Sequence, residues 1–441
     1  MQHSRRKFIQ QTGQFALAAG LFGTLPLELI AAQRNYISPN DRIGVGLIGC
    51  NGMGFVDLQS FLKNDQCFCA ALCDVDNNVL TRRKADLEKA GLPAPKLYKA
   101  YQDLLADPAV DLVIIGTPDH WHCLMFLDAL SAGKDVYVEK PIGNSIVEAQ
   151  TMELAAARSG RVIQVGQWQR SQPHLEEAQQ FLSSGKLGRV RSTKAWAYVG
   201  WKSSIPKAPD GPVPAGVDYE LWLGPAPKRP FNPNRFHGNF RWYWDYAGGV
   251  MTDWGVHMID TVLQFMEPEM PHTIMATGGK LGYPDDAQET PDTLTTVYNF
   301  RDFTLTWEHM MGIGLGNYNR GQGAAFIGEN GTLVISREDW EVIPHNKAIE
   351  AVPSQKAKNS FGLDLHVQNF LEAVKVKEPE AAKATIGIGS RACIVSQMGN
   401  IAYRSGQALH WIAEKGKFEE KEANGYLKKK YENGYKLISE K

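Results

Sequence analysis

Cysteine is scarce in this chain: six in 441 residues are too few for a disulfide scaffold, and no two pairs of them have zinc-ligand spacing. Cys67, Cys69 and Cys73 fall in an apolar stretch, where thiols act as small buried hydrophobes rather than redox groups. Positive charge is not in excess either. Lys and Arg number 47 against 48 Asp and Glu, a formal charge of -1, so the broad cationic surface that grips a phosphate backbone is missing and nucleic acid is not expected as a partner. No stretch offers the roughly 20 consecutive apolar residues of a bilayer span. Internal repeats and low-complexity tracts are not evident.

What is present is an ordinary globular composition, 43% hydrophobic, 22% charged and 10% aromatic, at about three times the usual domain length, which predicts two domains and a tail. Residues 1–32 stand outside them. Ser4-Arg5-Arg6-Lys7-Phe8-Ile9 is a twin-arginine pattern ahead of a modestly apolar stretch from Phe15 to Phe22, and Pro26 and Glu28 spoil any spanning helix. Those features in that order predict a twin-arginine export signal, processed near Gln33, and a periplasmic or otherwise exported protein.

Ile43 to Ile48 then suits a buried parallel strand, and Phe55 to Leu62 continues with helical spacing. Gly44, Gly46 and Gly49 would place a phosphate loop inside the strand, so the sensible register of the Gly49-Cys50-Asn51-Gly52-Met53-Gly54 turn starts at Gly49. In that register Gly49 makes the turn and Gly54 allows close helix packing. Asn51 stands where a glycine is usual, tolerating positive φ, with Gly52 beside it to relieve crowding near a pyrophosphate. The next strand, Cys67 to Cys73, ends in Asp74, 20 residues beyond Gly54, the interval at which a carboxylate meets the adenosine ribose hydroxyls. Asp74 would repel a 2′-phosphate, favouring NAD over NADP; Arg82 and Arg83 are expected to lie too far along the next helix to reverse that.

The alternation continues. Asp111 to Gly116 is a strand followed by Thr117-Pro118-Asp119-His120-Trp121-His122 and a helix to Ala132; Asp135 to Val138 leads to Glu139-Lys140-Pro141; helix Ser145 to Arg158 and strand Arg161 to Gly166 complete a doubly wound parallel sheet. Its strand ends put Thr117, Pro118, His122, Glu139 and Lys140 on one rim. These motifs, with Gly133-Lys134-Asp135-Val136-Tyr137-Val138 before the Glu-Lys-Pro, resemble the Gfo/Idh/MocA oxidoreductase family, whose members include glucose-fructose oxidoreductases and inositol dehydrogenases. The resemblance runs from about residue 41 to about 405. It implies that Lys140 assists the reacting hydroxyl beside the nicotinamide, that Glu139 and Pro141 shape its loop, and that Pro141 is often cis.

Gly248-Gly249-Val250-Met251-Thr252-Asp253-Trp254-Gly255-Val256-His257-Met258-Ile259-Asp260 resembles the family's Gly-Gly followed by Asp-x-x-x-His. On a helix, positions 253, 257 and 260 share a face, and two carboxylates with an imidazole suit proton transfer. Oxidising a secondary alcohol requires loss of a hydride to the nicotinamide and of a proton to a base. His257 is the first choice for base and Lys140 for stabilising alkoxide charge, with Asp253 binding substrate or orienting the histidine; the two roles could be exchanged. His120 with His122, or Asp253 with His257 and Asp260, have spacings a metal could use, but the family resemblance implies no metal.

Between Gly200 and Tyr246 eight prolines exclude long helices, yet Trp201, Trp222, Phe231, Phe236, Phe240, Trp242, Tyr243 and Trp244 are too aromatic for a linker. This predicts an ordered elaboration over the cleft. Arg235, His237, Arg241 and Trp244, with Arg170 and Asp260, are candidate sugar contacts, the alternative being aromatics that pack the loop on its own domain. Arg189 to Val199, Thr273 to Gly279, Thr293 to His309 and Ala324 to Ile335 fit the large, mostly antiparallel open sheet that the resemblance implies, and Phe361 to Val374 and Ala381 to Tyr403 read as helices on its back.

The expected organisation is thus an α/β Rossmann domain at 41–167, an α+β substrate-binding and oligomerisation domain at 168–405, and a peripheral segment at 406–441, whose mixed-charge stretch from Lys415 onward reads as a solvated tail or peripheral helix. The expected function is that of a homo-oligomeric oxidoreductase acting on a sugar, glycoside or cyclic polyol with tightly held NAD. An NAD-dependent glycoside hydrolase or lyase working through a transient ketosugar is the alternative, and a sugar-binding protein with a vestigial nucleotide site the third reading.

Overall fold

The apolar run after Arg42 becomes a central strand because almost none of it can face water. In the computed structural model, which describes residues 42–357 and 362–437, strand β1 (Ile43–Ile48) is buried from Gly44 onward. A Cβ on Gly44 would overlap the Ala109 carbonyl oxygen and one on Gly46 would crowd Leu104 and Val110, so both are packing glycines inside the strand. The export-signal residues lie outside the described residues.

Strands β2 (Cys67–Cys73), β3 (Lys96–Tyr98), β4 (Leu112–Ile115), β5 (Asp135–Val138) and β6 (Ile163–Val165) complete a six-stranded sheet in the order β3-β2-β1-β4-β5-β6, parallel throughout. Its connections carry α1 (Met53–Leu62), α2 (Asn77–Lys89), α3 (Tyr101–Ala106), α4 (Asp119–Ser131) and α5 (Ile146–Ser159). The order reverses between β1 and β4, and ligands of such sheets bind beyond the strand ends at that reversal. Side chains start the helices where the sequence supplies them: Asp76 accepts from the Asn78 amide and Ser145 from the Glu148 amide. All six cysteines are free and buried, Cys67, Cys69 and Cys73 as their apolar setting suggested.

After α6 (Pro173–Ser183), strand β7 (Ser192–Val199), α7 (Tyr219–Leu223) and α8 (Val256–Met266), the chain lays down β8 (Thr273–Gly279), β9 (Thr293–Asn299), β10 (Thr304–Met311), β11 (Gln322–Ile327), β12 (Gly331–Ile335), β13 (Asp339–Pro344) and β14 (Val352–Lys356). Helices α9 (Leu363–Val376) and α10 (Ile386–Ser405) precede β15 (Leu409–Ile412) and β16 (Lys417–Phe418). The ten strands form one sheet, β14-β13-β12-β11-β7-β10-β9-β8-β15-β16, in which only β7 and β10 pair in parallel. β9 and β10 bury every second residue, the mark of a sheet covered on one face; α8 and α10 supply that cover.

Two expectations are corrected. The helix placed on the back of the second sheet, α9, docks instead on the first: Phe370 meets Phe61 and Tyr137 with ring centres 6.0 and 6.1 Å apart. The apolar stripe Leu363, Val367, Phe370, Leu371 tells that a face is buried, not against which sheet. Residues 421–437 are not a solvated tail. Val147 donates to the Leu427 carbonyl at 2.9 Å, Tyr431 to Glu148 at 2.6 Å and Asn433 to the Gly224 carbonyl at 2.7 Å, and Tyr435 meets Trp121 edge-on at 5.2 Å. Its lysines mask a set of tyrosines that pack. No helix of the described residues is long and apolar enough to cross a membrane.

Candidate active site

The turn after β1 is shaped for a phosphate. Gly49 has φ +87°, and a Cβ there would strike the Gly116 backbone at 2.7 Å; one on Gly54 would overlap the Gly49 carbonyl oxygen. Gly52, at φ +51°, faces open space where its Cβ would stand. It precedes α1 without a side-chain cap, so the first-turn N–H groups are left for an outside acceptor. Asn51 is exposed and Met53 half-buried beside it. At the end of β2, the Asp74 carboxylate accepts from the Cys50 amide at 2.8 Å and the Asp76 amide at 3.0 Å, and each oxygen keeps a lone pair for a ribose hydroxyl. This open glycine cradle, uncapped helix start and acidic strand end fit a dinucleotide.

Arg82 donates to Asn51 Oδ1 at 3.2 Å and Arg83 to the Cys50 carbonyl at 3.1 Å, with its guanidinium 4.0 Å over the Phe55 ring. Both therefore reach the loop that the sequence reading placed beyond them. Helical side chains lean toward the N-terminus, and α2 starts only five residues before Arg82.

Beyond the strand ends, two halves of the molecule meet on one carboxylate. Lys140, after β5 and followed by cis-Pro141, donates to Asp253 Oδ1 at 2.9 Å and to the Asp253 carbonyl at 2.9 Å. Arg241 reaches the same Oδ1 at 3.1 Å. Burial alone would raise the Asp253 carboxyl; the two cations outweigh it and hold it well below the usual range. Asp253 lies in a π-helical turn, Met251–Gly255, that runs into α8; such turns are frequent at functional sites. His257, one turn on, is 5% exposed, and its Nδ1 is buried without a hydrogen-bond partner. Burial, then the charges of Lys140 and Arg337, push its pKa well below the imidazole value, so the ring is neutral.

Asp260, on the same helix face, takes a bidentate contact from Arg170 at 2.7 and 2.7 Å. These two expected substrate contacts complete each other and tie α8 to the turn after β6. Trp244 is not brought to the cleft: Arg404 lies 4.8 Å over its ring and Lys429 donates to its carbonyl, because the π turn after Gly249 points Asp253, not the aromatics before it, toward Lys140. Tyr219, Trp222, Phe231, Phe236 and Tyr246 pack on one another, Tyr219 stacking on Trp222 at 5.6 Å.

Around Lys140 sit buried acids and bases. Glu139 is raised by burial to about 7, and Asp57 of α1, without a hydrogen-bond partner for either oxygen, is raised by burial and by Glu139. Asp119 is raised by burial to about 8 despite Arg241 and Lys140. His122, expected at the cofactor, lies between the Pro141 carbonyl at 2.7 Å and the Thr117 carbonyl at 2.8 Å, so it braces the lysine loop against the Thr117-Pro118 turn; Thr117 Oγ1 points to Met125 Sδ at 3.6 Å. His120 Nε2 is taken by the Trp222 carbonyl at 3.0 Å. The sequence reading missed Asp57, Asp119, Trp168, Trp254 and Arg337. The signals for them were the Thr-Pro-Asp motif for Asp119 and the Trp-Gly inside the Asp-x-x-x-His motif for Trp254.

The NAD-binding Rossmann fold of an oxidoreductase family matches residues 43–167, and the C-terminal alpha/beta domain of that family matches residues 188–437. Among curated proteins, a 1-carboxy-3-chloro-3,4-dihydroxycyclo hexa-1,5-diene dehydrogenase of Comamonas testosteroni is 30% identical over 154 residues, 35% of this chain and 38% of its own. A glycosyl hydrolase family 109 protein of Shewanella pealeana is 31% identical over 174 residues, 36% of this chain and 38% of its own. The chain thus matches little more than a third of the length of these relatives. Among solved structures, an aldose-aldose oxidoreductase from Caulobacter crescentus complexed with glycerol superposes with TM-score 0.63 at 18% identity, over 84% of this chain and 100% of that one. A levoglucosan dehydrogenase in complex with NADH and levoglucosan gives TM-score 0.63 at 15% identity, over 84% and 99%. At such identities the likeness is one of fold.

Proposed function

The chain belongs to the Gfo/Idh/MocA oxidoreductase family, and from that premise we propose that it oxidises a secondary alcohol of a sugar, glycoside or cyclic polyol with tightly held NAD. NAD, held by the Gly49–Gly54 loop and Asp74, supplies the hydride acceptor. The observation that carries the reading is the meeting of Lys140 and Asp253 from opposite halves beside a neutral His257. His257, unprotonated, takes the hydroxyl proton. Lys140, its ammonium fixed by Oδ1 and the backbone carbonyl of Asp253, stabilises the oxygen as charge develops. Arg241 keeps Asp253 ionised so that it continues to hold the lysine. Replacing His257 by Ala should cost on the order of 10²–10⁴ in kcat while leaving NAD bound; full activity refutes the assignment.

A second reading is compatible with the matched glycosyl hydrolase family 109 proteins: a ketone formed transiently on the sugar lets elimination break a glycosidic bond. Stoichiometric ketosugar supports the first reading and reducing sugar released without net oxidation the second. The twin-arginine pattern supports export of the folded protein; accumulation of unprocessed chain in the cytoplasm when Arg5 and Arg6 become Lys is the expected sign. A homo-oligomer built on the open second sheet is the accompanying proposal, read out by native mass.

A further inference from the structure

We propose that the substrate carries a carboxylate and that Arg337 is its anchor, an inference that rests on the alcohol-oxidation reading and narrows its substrate class to sugar acids and their glycosides. Arg337 stands at the turn between β12 and β13, half-buried, far in sequence from both signature motifs. Its guanidinium carbon is 4.7 Å from the Trp168 ring centre and 4.5 Å from that of Trp254, so two indoles hold the side chain. Trp168 adjoins His257, ring centres 6.3 Å apart, and Trp254 neighbours Asp253 in the chain. The cation therefore stands at the reacting end of the cleft, and its charge is felt by His257.

The other arginines of the cleft are paired with carboxylates, Arg170 with Asp260 and Arg241 with Asp253. Arg337 is not paired among the described residues. Among the described residues its Nη2 donates to the neutral Gln169 side chain at 3.1 Å and its Nε is buried without a partner. The adjacent Glu338 is exposed and is bonded to Gln322 at 2.9 Å. A buried arginine is ordinarily paired, and a planar guanidinium with free donors matches a carboxylate. Charge agrees: Lys140, Arg241 and Arg337 face the ionised carboxylate of Asp253, while burial raises Asp119 to about 8 and Glu139 to about 7. An anion settling on Arg337 balances this excess and completes the missing pair.

The full-length protein, purified with its NAD, is titrated with methyl β-glucuronide and methyl β-galacturonide and with the corresponding neutral glucoside and galactoside, reading tryptophan fluorescence, to which Trp168 and Trp254 report. At least one uronide should bind about tenfold or more tightly than its neutral partner. Arg337→Gln should reduce that preference to about twofold or less, and Arg337→Lys should restore part of it, with unfolding temperature and NAD content confirming folded variants. Equal affinities, preference for the neutral sugars, no binding of either uronide, or a preference that survives Arg337→Gln each overturn the anchor. Absorbance at 340 nm reads the other proposal separately. Uronide binding without reduction of the bound nicotinamide keeps the anchor and removes the dehydrogenase, whereas oxidation of neutral glycosides without carboxylate preference does the reverse.

Discussion

Asp119 sits at the first residue of α4 with its carboxyl raised by burial to about 8, and this has a sign that can be worked out. A group whose folded pKa lies above its unfolded value contributes stability that is present at low pH and is lost as pH rises through the folded value. Asp119→Asn never ionises, so it escapes that loss. Its urea stability should match wild type at acid pH and exceed it above pH 8, by on the order of 6 kcal/mol for a rise from 3.8 to about 8 at about 1.4 kcal/mol per pKa unit; a difference that does not change with pH contradicts the assignment. His257 carries the opposite shift. Because burial, Lys140 and Arg337 keep it neutral well below the imidazole range, kcat/KM should show no limb from His257 near pH 6.5, and a limb there that survives Glu139→Gln, whose carboxyl burial raises to about 7, would contradict the shift. Lys140, Asp253 and His257 were legible from the Glu-Lys-Pro and Asp-x-x-x-His spacings. Arg337 was not, because a single arginine in a hairpin turn has no periodicity to betray it, and Trp244 was misplaced because packing and stacking aromatics look alike in one dimension.

Strands were legible where both faces or one whole face are buried. β1, β2 and β5 read as apolar runs, whereas β3 is three residues long with two exposed, and β14 exposes four of its five, so neither carries a hydrophobic period. The helix bearing Asp253 and His257 was expected to be α-helical, with spacings of four and three. The structure instead opens a π turn at Met251–Gly255, which sequence spacing does not encode. The turn is launched from Gly249, whose φ is +69° and whose Cβ would press on the Thr290 side chain at 2.7 Å. Only glycine adopts that conformation without strain. Gly249→Ala should therefore destabilise by about 1–3 kcal/mol and, by shifting Asp253 away from Lys140, lower kcat more than it raises KM. Unchanged denaturation and kinetics would mean that the π turn does not depend on this residue.

At the scale of the whole molecule, the proline-rich segment decides how the nucleotide end of the first sheet is closed. Residues 214–218 lie along the end of β2: Asp218 donates to the Val75 carbonyl at 2.8 Å, Asn77 to the Gly216 carbonyl at 2.9 Å, and Asp76 and Val217 form a bridge. The segment is pinned again where His237, at φ +48°, places Nε2 3.1 Å from Asp76 Oδ2, two residues from Asp74. The second half of the chain thus folds over the strand end assigned to the adenosine ribose, an arrangement of long sequence separation that no local motif announces. A dinucleotide seated on Gly49, Gly52 and Asp74 would lie beside this clasp at its adenosine end, and the clasp is the physical source we propose for the tight hold on NAD. Removing the His237 contact should loosen the clasp without touching Lys140 or His257. His237→Ala should speed NAD release by roughly tenfold, equivalent to about 1.4 kcal/mol, and lower the NAD content seen by native mass spectrometry after dialysis, with turnover recovered by added NAD. If occupancy and release rate match wild type, retention must come from the glycine loop and Asp74 alone, and the clasp serves only to pack the segment.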